Sequence, residues 1–230
     1  QAALFAAHLA VCPHGQKALF IDPYYATYPG TLRGVGAVAT PLPAHAEQGF
    51  QPLQGDTDTA EALASGAASL LINTPNNPTG VIYSRDTLER IASLCQRHDL
   101  WLISDEVYET QIWQGEHISP RALSGMRERT LVVGSMSKSH AMTGSRIGWI
   151  VGPREAIDHI SNLATHTTYG VPGFVQDAAL YALQRGVAFE QEIGAPFERR
   201  RALSLDILNT QRHVKMVPAD GAMYVMLDIR

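Results

Sequence analysis

The chain has 230 residues, of which 45% are hydrophobic and 17% charged, a composition that suits a globular protein with a substantial core. Its net charge of −4 argues against electrostatic capture of nucleic acid or of an anionic membrane surface. The two cysteines, Cys12 and Cys95, form neither a disulfide framework nor a CxxC pair, which points to free thiols in a reducing cytoplasm.

The opening stretch, QAALFAAHLAVC, has an apolar centre without a basic leader, and it reads as a buried helix rather than a signal peptide. No apolar run approaches the ~20 residues needed to span a bilayer. Strand-sized apolar runs follow at Ala18–Ile21, Val35–Ala39, Leu70–Ile72, Leu100–Ile103, Leu131–Val133 and Ile147–Val151. Few of them alternate strictly, as expected of strands covered on both faces. Helical patterns lie between several of them, most clearly at Ser84–His98. There Ser84 suits an N-cap, and Leu88, Ile91, Ala92 and Cys95 share one face. Beyond Pro172 come two more expected helices, Phe174–Gln184 and Ala188–Thr210, then a turn and a strand at Met223–Ile229. Strands alternating with helices predict an α/β fold: three layers, a mostly parallel sheet with helices on both faces. Residues 1–200 are expected to form this large domain, and 201–230 to open a smaller α/β domain.

Polar and special residues gather just past the carboxyl ends of these runs. Ile21 is followed by DPYY, Ile72 by NTPNNPTG, Ile103 by SDEVY and Val133 by GSMSK. Open α/β sheets bind ligands outside the carboxyl ends of their strands, so four such ends predict one shared pocket. Lys138 is one of only three lysines and sits in a Ser/Gly-rich loop behind a buried run. Most lysines are solvated surface residues. One held away from bulk water loses some preference for its charged form, and the free amine condenses with an aldehyde to a Schiff base. Ser135, Ser137 and Arg146 offer two hydroxyls and a guanidinium fork, a set that suits a phosphate dianion. A capped loop with a structural ion pair is the plainer alternative. Asp105, at a buried strand end, suits a protonated ring nitrogen, and Tyr108, three residues on, suits a phenolate oxygen. Asn77 lies between prolines in a rigid turn that aims its amide. Tyr25 offers an aromatic face to a planar ligand, although core packing is the ordinary fate of one tyrosine.

Competing motifs are weak. SKS lacks the glycine that a phosphate-binding GxxxxGK[ST] loop requires, which leaves the acidic strand LWLISDE without a partner for nucleotide hydrolysis. No GxSxG elbow is present. The nine histidines show no HExxH or paired ligand spacing, so no metal is expected. Arg199, Arg200 and Arg201 read as the solvated face of the long helix.

NNPTG at 76–80, SDEVY at 104–108 and SMSKSHAMTGSRIGW at 135–149 together resemble the class I/II aminotransferases, pyridoxal-phosphate enzymes of fold type I. The three motifs stand in the family's order, and the resemblance covers nearly the whole chain. It implies pyridoxal 5′-phosphate as cofactor, amino acid and 2-oxo acid substrates, and a homodimer. It also implies that Lys138 forms the Schiff base and moves the proton, that Asp105 pairs with the pyridine nitrogen, and that Asn77 and Tyr108 bond the phenolic oxygen. Tyr25 would stack on the ring, and Ser135, Ser137 and Arg146 would hold the phosphate. Gln1 and Ala2 would add backbone contacts at a helix N-terminus.

The sequence departs from the family pattern at both ends, where the glycines of the phosphate turn and most of the small domain are missing. Arg230 lies too early to be the arginine that binds the substrate carboxylate. Ser145 stands where an aromatic residue often precedes the motif's arginine. The same cofactor set also suits a β-lyase or decarboxylating relative, or the aminotransferase-like sensor domain of a transcriptional regulator.

Overall fold

The structure is a computed structural model that describes residues 1–55, 57–217 and 219–229. Arg230 therefore lies outside the described residues. The chain opens with helix α1 (Ala2–Val11), then strand β1 (Lys17–Asp22), α2 (Tyr28–Gly34), β2 (Val38–Pro43), α3 (Thr57–Ala64) and β3 (Ala67–Asn73). It continues with α4 (Arg85–Arg97), β4 (Trp101–Asp105), β5 (Thr130–Ser135), the short α5 (Met136–Ser139) and β6 (Gly148–Val151). Helices α6 (Arg154–Thr165), α7 (Gly173–Gln184) and α8 (Val187–Leu208) follow, and a two-stranded ribbon, β7 (Lys215–Met216) and β8 (Leu227–Asp228), comes last.

Six strands form one sheet in the order β2-β1-β3-β4-β5-β6, parallel throughout except for β6, which runs antiparallel to β5. Successive side chains of a strand face opposite sides, and here both sides are buried. Leu19, Ile21, Leu70, Ile72 and Leu102 pack on one side with Leu88, Ile91 and Leu94 of α4. Ala18, Phe20, Leu71, Ile103, Leu131 and Val133 pack on the other with Leu4, Ala7 and Val11 of α1, Leu32 of α2 and Ile160 of α6. The expected three-layer α/β fold is therefore present. Each fully buried leucine contributes about 2 kcal/mol of burial. Ser84 caps α4 as expected, its hydroxyl accepting the Thr87 N–H at 3.2 Å. Among the described residues no helix is long and apolar enough to cross a membrane.

Two elements differ from their sequence signal. The run Val35–Ala39 gives way to β2 at Val38–Pro43, because Val35 and Ala37 are buried against the α1–α2 layer before the strand begins. In the expected strand Met223–Ile229, Leu227 and Asp228 pair with Met216 and Lys215, and the Met226 carbonyl accepts the Val217 N–H at 2.9 Å; residues 223–225 lie outside the ladder. Residue 200, where the sequence suggests a change of domain, lies within α8.

His8 is fully buried in α1, and neither ring nitrogen has a hydrogen-bond partner among the described residues. Burial lowers its pKa from 6.5 to about 4. The unfolded chain therefore takes up a proton that the folded chain refuses as the pH falls from 6.5 towards 4. Stability contributed by the neutral ring is intact above pH 6.5 and falls across that window, by about 3 kcal/mol in total. Urea unfolding of wild type and His8→Phe at pH 7.5 and pH 5 measures this. The variant is expected to lose most of the acid-side decline; equal declines in the two proteins overturn the assignment.

Candidate active site

A cavity of about 680 Å³ opens at the carboxyl ends of β1, β3, β4 and β5, the place expected from the strand-end residues. Gln1, Ala2, Tyr25, Asn77, Asp105, Tyr108, Ser135, Ser137, Lys138 and Arg146 all line it. The sequence separates these residues by up to 145 positions, and the parallel sheet brings them to one rim. A second hollow of about 330 Å³, between Ile82–Arg85 and Gln114–Glu116, holds none of them.

Asp105 ends β4 and is buried. Its Oδ2 accepts the Tyr28 hydroxyl at 2.7 Å, and its Oδ1 accepts the Val107 N–H at 3.3 Å. Burial raises the carboxyl above its ordinary range, and the Tyr28 and Val107 bonds partly offset that rise. Tyr28 is itself held far above the usual phenol range by burial and by the Asp105 charge, so it stays protonated and donates. No ion pair among the described residues involves Asp105. A buried carboxylate without a cation is costly, and a protonated ring nitrogen entering the cavity relieves that cost. The adjacent Glu106 does not line the cavity; its carboxylate meets His117 Nε2 at 3.0 Å and the Ser119 hydroxyl at 2.8 Å.

The loop after β5 carries the amine and the anion-binding groups. Ser135 caps α5: its hydroxyl accepts the Ser137 N–H at 3.1 Å and reaches the Ser137 hydroxyl at 2.9 Å. Lys138 follows on α5, with Nζ 5.9 Å from the centre of the Tyr108 ring. Arg146 adopts the left-handed conformation, φ 52°, unusual for a residue with a side chain, where the chain turns from Thr143–Ser145 into β6. Its Nη1 donates to the Thr143 carbonyl at 2.6 Å, and no carboxylate pairs with it among the described residues. The expected alternative, a structural ion pair, is therefore absent among the described residues. Two hydroxyls, a guanidinium with no carboxylate partner among the described residues, and the N-terminal turn of α1 at Ala2 all line the cavity. This donor set suits a dianionic phosphate.

Tyr25 sits half-exposed on the cavity wall, its ring edge-on to Tyr28 at 5.6 Å. Asn77 is fixed by its neighbours. Its N–H donates to Asn73 Oδ1 at 2.7 Å, and Asn73 Nδ2 donates to the Asp105 carbonyl at 2.9 Å. Asn76 Oδ1 completes the turn by accepting the Thr79 N–H at 3.1 Å and hydroxyl at 2.7 Å.

Among the lining residues not singled out by sequence, three hold site residues in place. Tyr28 and Asn73 bond Asp105, and Tyr224 meets the Tyr108 hydroxyl at 2.7 Å. Asn73 belongs to NTPNNPTG, already marked as a strand-end polar stretch, which is the signal that points to it; Tyr28 lies three residues past DPYY and carries no such mark. Tyr224 has no such signal, because it arrives from the far end of the chain.

The curated relatives include arginine–pyruvate transaminase of Pseudomonas aeruginosa, 40% identical over 230 residues, which covers 100% of this chain and 58% of that protein. Aspartate/prephenate aminotransferase of Thermus thermophilus is 35% identical over 229 residues, covering 98% of this chain and 58% of that protein. Among solved structures, a double mutant of Thermus thermophilus aspartate aminotransferase superposes with a TM-score of 0.91 at 35% identity. That match covers 99% of this chain and 59% of the other. The chain thus spans 58% of the length of these two curated relatives. The family model for aminotransferase class I and II matches residues 1–230, and with a shared fold and a cavity suited to their cofactor, the chain belongs to the class I and II aminotransferases, which depend on pyridoxal 5′-phosphate.

Proposed function

We propose that the whole protein is an aminotransferase that moves an amino group from an L-amino acid to a 2-oxo acid. One observation carries this reading: Lys138, Asp105 and the Ser135–Ser137–Arg146 cluster face a single cavity. When bound, pyridoxal phosphate supplies an aldehyde that condenses with amines and an electron sink for the carbon beside the nitrogen.

The protein's residues do the rest. Lys138 Nζ would hold the cofactor covalently between turnovers, and as a free amine it would take the proton from the substrate α-carbon and deliver it to the cofactor side rather than back to the same carbon. Asp105, oriented by Tyr28, keeps the ring nitrogen protonated. Tyr108 and Asn77 would donate to the phenolic oxygen. Ser135, Ser137 and Arg146, with Gln1 and Ala2, would bind the phosphate, and Tyr25 would pack on the ring. Borohydride reduction of the full-length, cofactor-loaded protein followed by peptide mapping tests the assignment. The label is expected on Lys138, and a label on any other residue sinks it.

Arginine as donor and pyruvate as acceptor are part of the proposal, supported by the 40% identity to the Pseudomonas aeruginosa enzyme. Turnover that requires the 2-oxo acid, without release of ammonia and pyruvate from the donor, distinguishes amino transfer from β-elimination. The division into a large domain through residue 200 and a smaller one beyond it belongs to the same reading. A homodimer does too, supported by the apolar side chains Tyr169, Phe174, Leu180, Tyr181, Leu183 and Val187, which stand exposed along one stretch. The cytoplasm as site of action rests on Cys12 and Cys95, both free and buried.

A further inference from the structure

We propose that Tyr224 is a positioning residue of this site: its hydroxyl holds that of Tyr108 so that the Tyr108 proton is directed at the cofactor oxygen. The proposal rests on the amino-transfer reading for what fills the cavity.

The two hydroxyl oxygens are 2.7 Å apart, and either can donate. The rings meet edge-on, with centroids 5.7 Å apart and planes at 89°. Both residues line the cavity. A phenol has one proton to give and lone pairs to receive another. If Tyr108 donates to Tyr224, its proton is spent away from the ligand. If Tyr224 donates to Tyr108, the Tyr108 proton remains for an acceptor in the cavity, and the chained bonds strengthen each other. An anionic phenolic oxygen in the cavity selects the second arrangement. The polar and charged groups around the pair are Asn77 of the NNPTG turn, Asp105 of β4 and Lys138 of α5. Burial, then the Tyr224 bond, hold Tyr108 far above the usual phenol range, so it remains a proton donor.

Tyr224 is held in place by a latch that links the carboxyl-terminal segment to the cofactor side of the sheet. The Gly221 N–H donates to the Gly80 carbonyl and the Ala222 N–H to the Gln111 carbonyl, both at 2.9 Å. The N–H groups of Trp113 and Gln114 donate to the Asp220 carbonyl at 2.7 and 3.0 Å, and Trp113 Nε1 donates to the Ala222 carbonyl at 2.6 Å. The fit leaves no spare volume: a Cβ on Gly80 would lie 2.6 Å from that of Ala219, and one on Gly221 would lie 2.8 Å from Pro75. Two residues past this latch, Tyr224 reaches Tyr108. Of the residues between this latch and the β7–β8 ladder, Tyr224 lines the cavity.

The test is a pH titration of the bound cofactor's absorbance, without substrate, in the full-length loaded protein. Donation from Tyr108 stabilises the anionic oxygen, so weakening it raises the midpoint. Tyr224→Phe keeps the ring and removes only the hydroxyl. Its midpoint is expected to rise by about half a pH unit, and that of Tyr108→Phe by about one unit or more. The double variant is expected to go no further than Tyr108→Phe alone. A Tyr224→Phe midpoint equal to wild type, beside a shifted Tyr108→Phe, overturns the positioning role and leaves the amino-transfer reading standing. Fully additive shifts also overturn it, since Tyr224 then acts independently of Tyr108. Absence of a titrating cofactor absorbance in wild type overturns both.

Discussion

Lys138→Ala is expected to lower amino transfer by roughly four orders of magnitude while leaving the fold intact. The loss combines two roles of one amine, covalent attachment and proton movement at the α-carbon, and proton transfer alone is worth about 10²–10⁴. The fold is spared because Lys138 lies on a four-residue helix at the rim, outside both core clusters, and the capping bonds of Ser135 do not involve its side chain. Thermal unfolding is therefore expected to shift by no more than about 2 °C. The phosphate-binding groups remain, so the variant still takes up cofactor but releases it on dialysis, with no borohydride-fixed label. Single-turnover and steady-state assays with the full-length protein check the first point, and calorimetry the second. Turnover within tenfold of wild type, with the variant folded and loaded, removes Lys138 from the chemistry.

Asp105→Asn carries the second-largest effect. The amide keeps the shape of the carboxylate but cannot hold a proton on a ring nitrogen by charge. Loss of such an electrostatic contact at a buried carboxylate costs about two to three orders of magnitude in turnover. Tyr28→Phe separates charge from orientation, because it removes a hydrogen bond and leaves the carboxylate. Its turnover is expected to fall about tenfold, the worth of a bond to a charged group. The sign of its pH effect follows from the geometry. The Tyr28 bond lowers the Asp105 pKa against the rise due to burial. Removing that bond raises the pKa further, so the acid limb of the pH–rate profile moves to higher pH. An acid limb that stays put, or moves down, refutes the assigned partnership.

Much of the fold is legible in the sequence for a physical reason. Strands buried on both faces must be apolar on both, so β1, β3, β4 and β5 appear as short unbroken runs. The edge strand β2 is legible only in part: in VATPLP only Leu42 is buried while Val38 and Pro41 are exposed, and the apolar residues just before it belong to a turn packed on α1 and α2. Helix α4 shows itself through its apolar face and its serine cap. The site residues on the motifs are legible because a polar residue at the end of a buried strand needs a reason to be there. Tyr28 and Tyr224 escape notice because a tyrosine's role depends on what its hydroxyl meets, and those partners lie 77 and 116 positions away. The apolar run MYVMLDI signals a strand, but Tyr224 meets the cavity instead, and pairing begins with the Met226 carbonyl and continues at Leu227–Asp228.

The cavity walls come from stretches as far apart as Gln1 and Tyr224, and the sheet between them is ordered so that each strand needs its neighbours to be seated. Long-range closure of this kind makes assembly slow and the last step decisive. No partial sheet presents the amine, the carboxylate and the anion cradle together. Acquisition of the cofactor's colour during refolding is thus a late signal, appearing after secondary structure and only in molecules whose distant segments have all met. By mass action the same ligand then favours the finished state over every partial one.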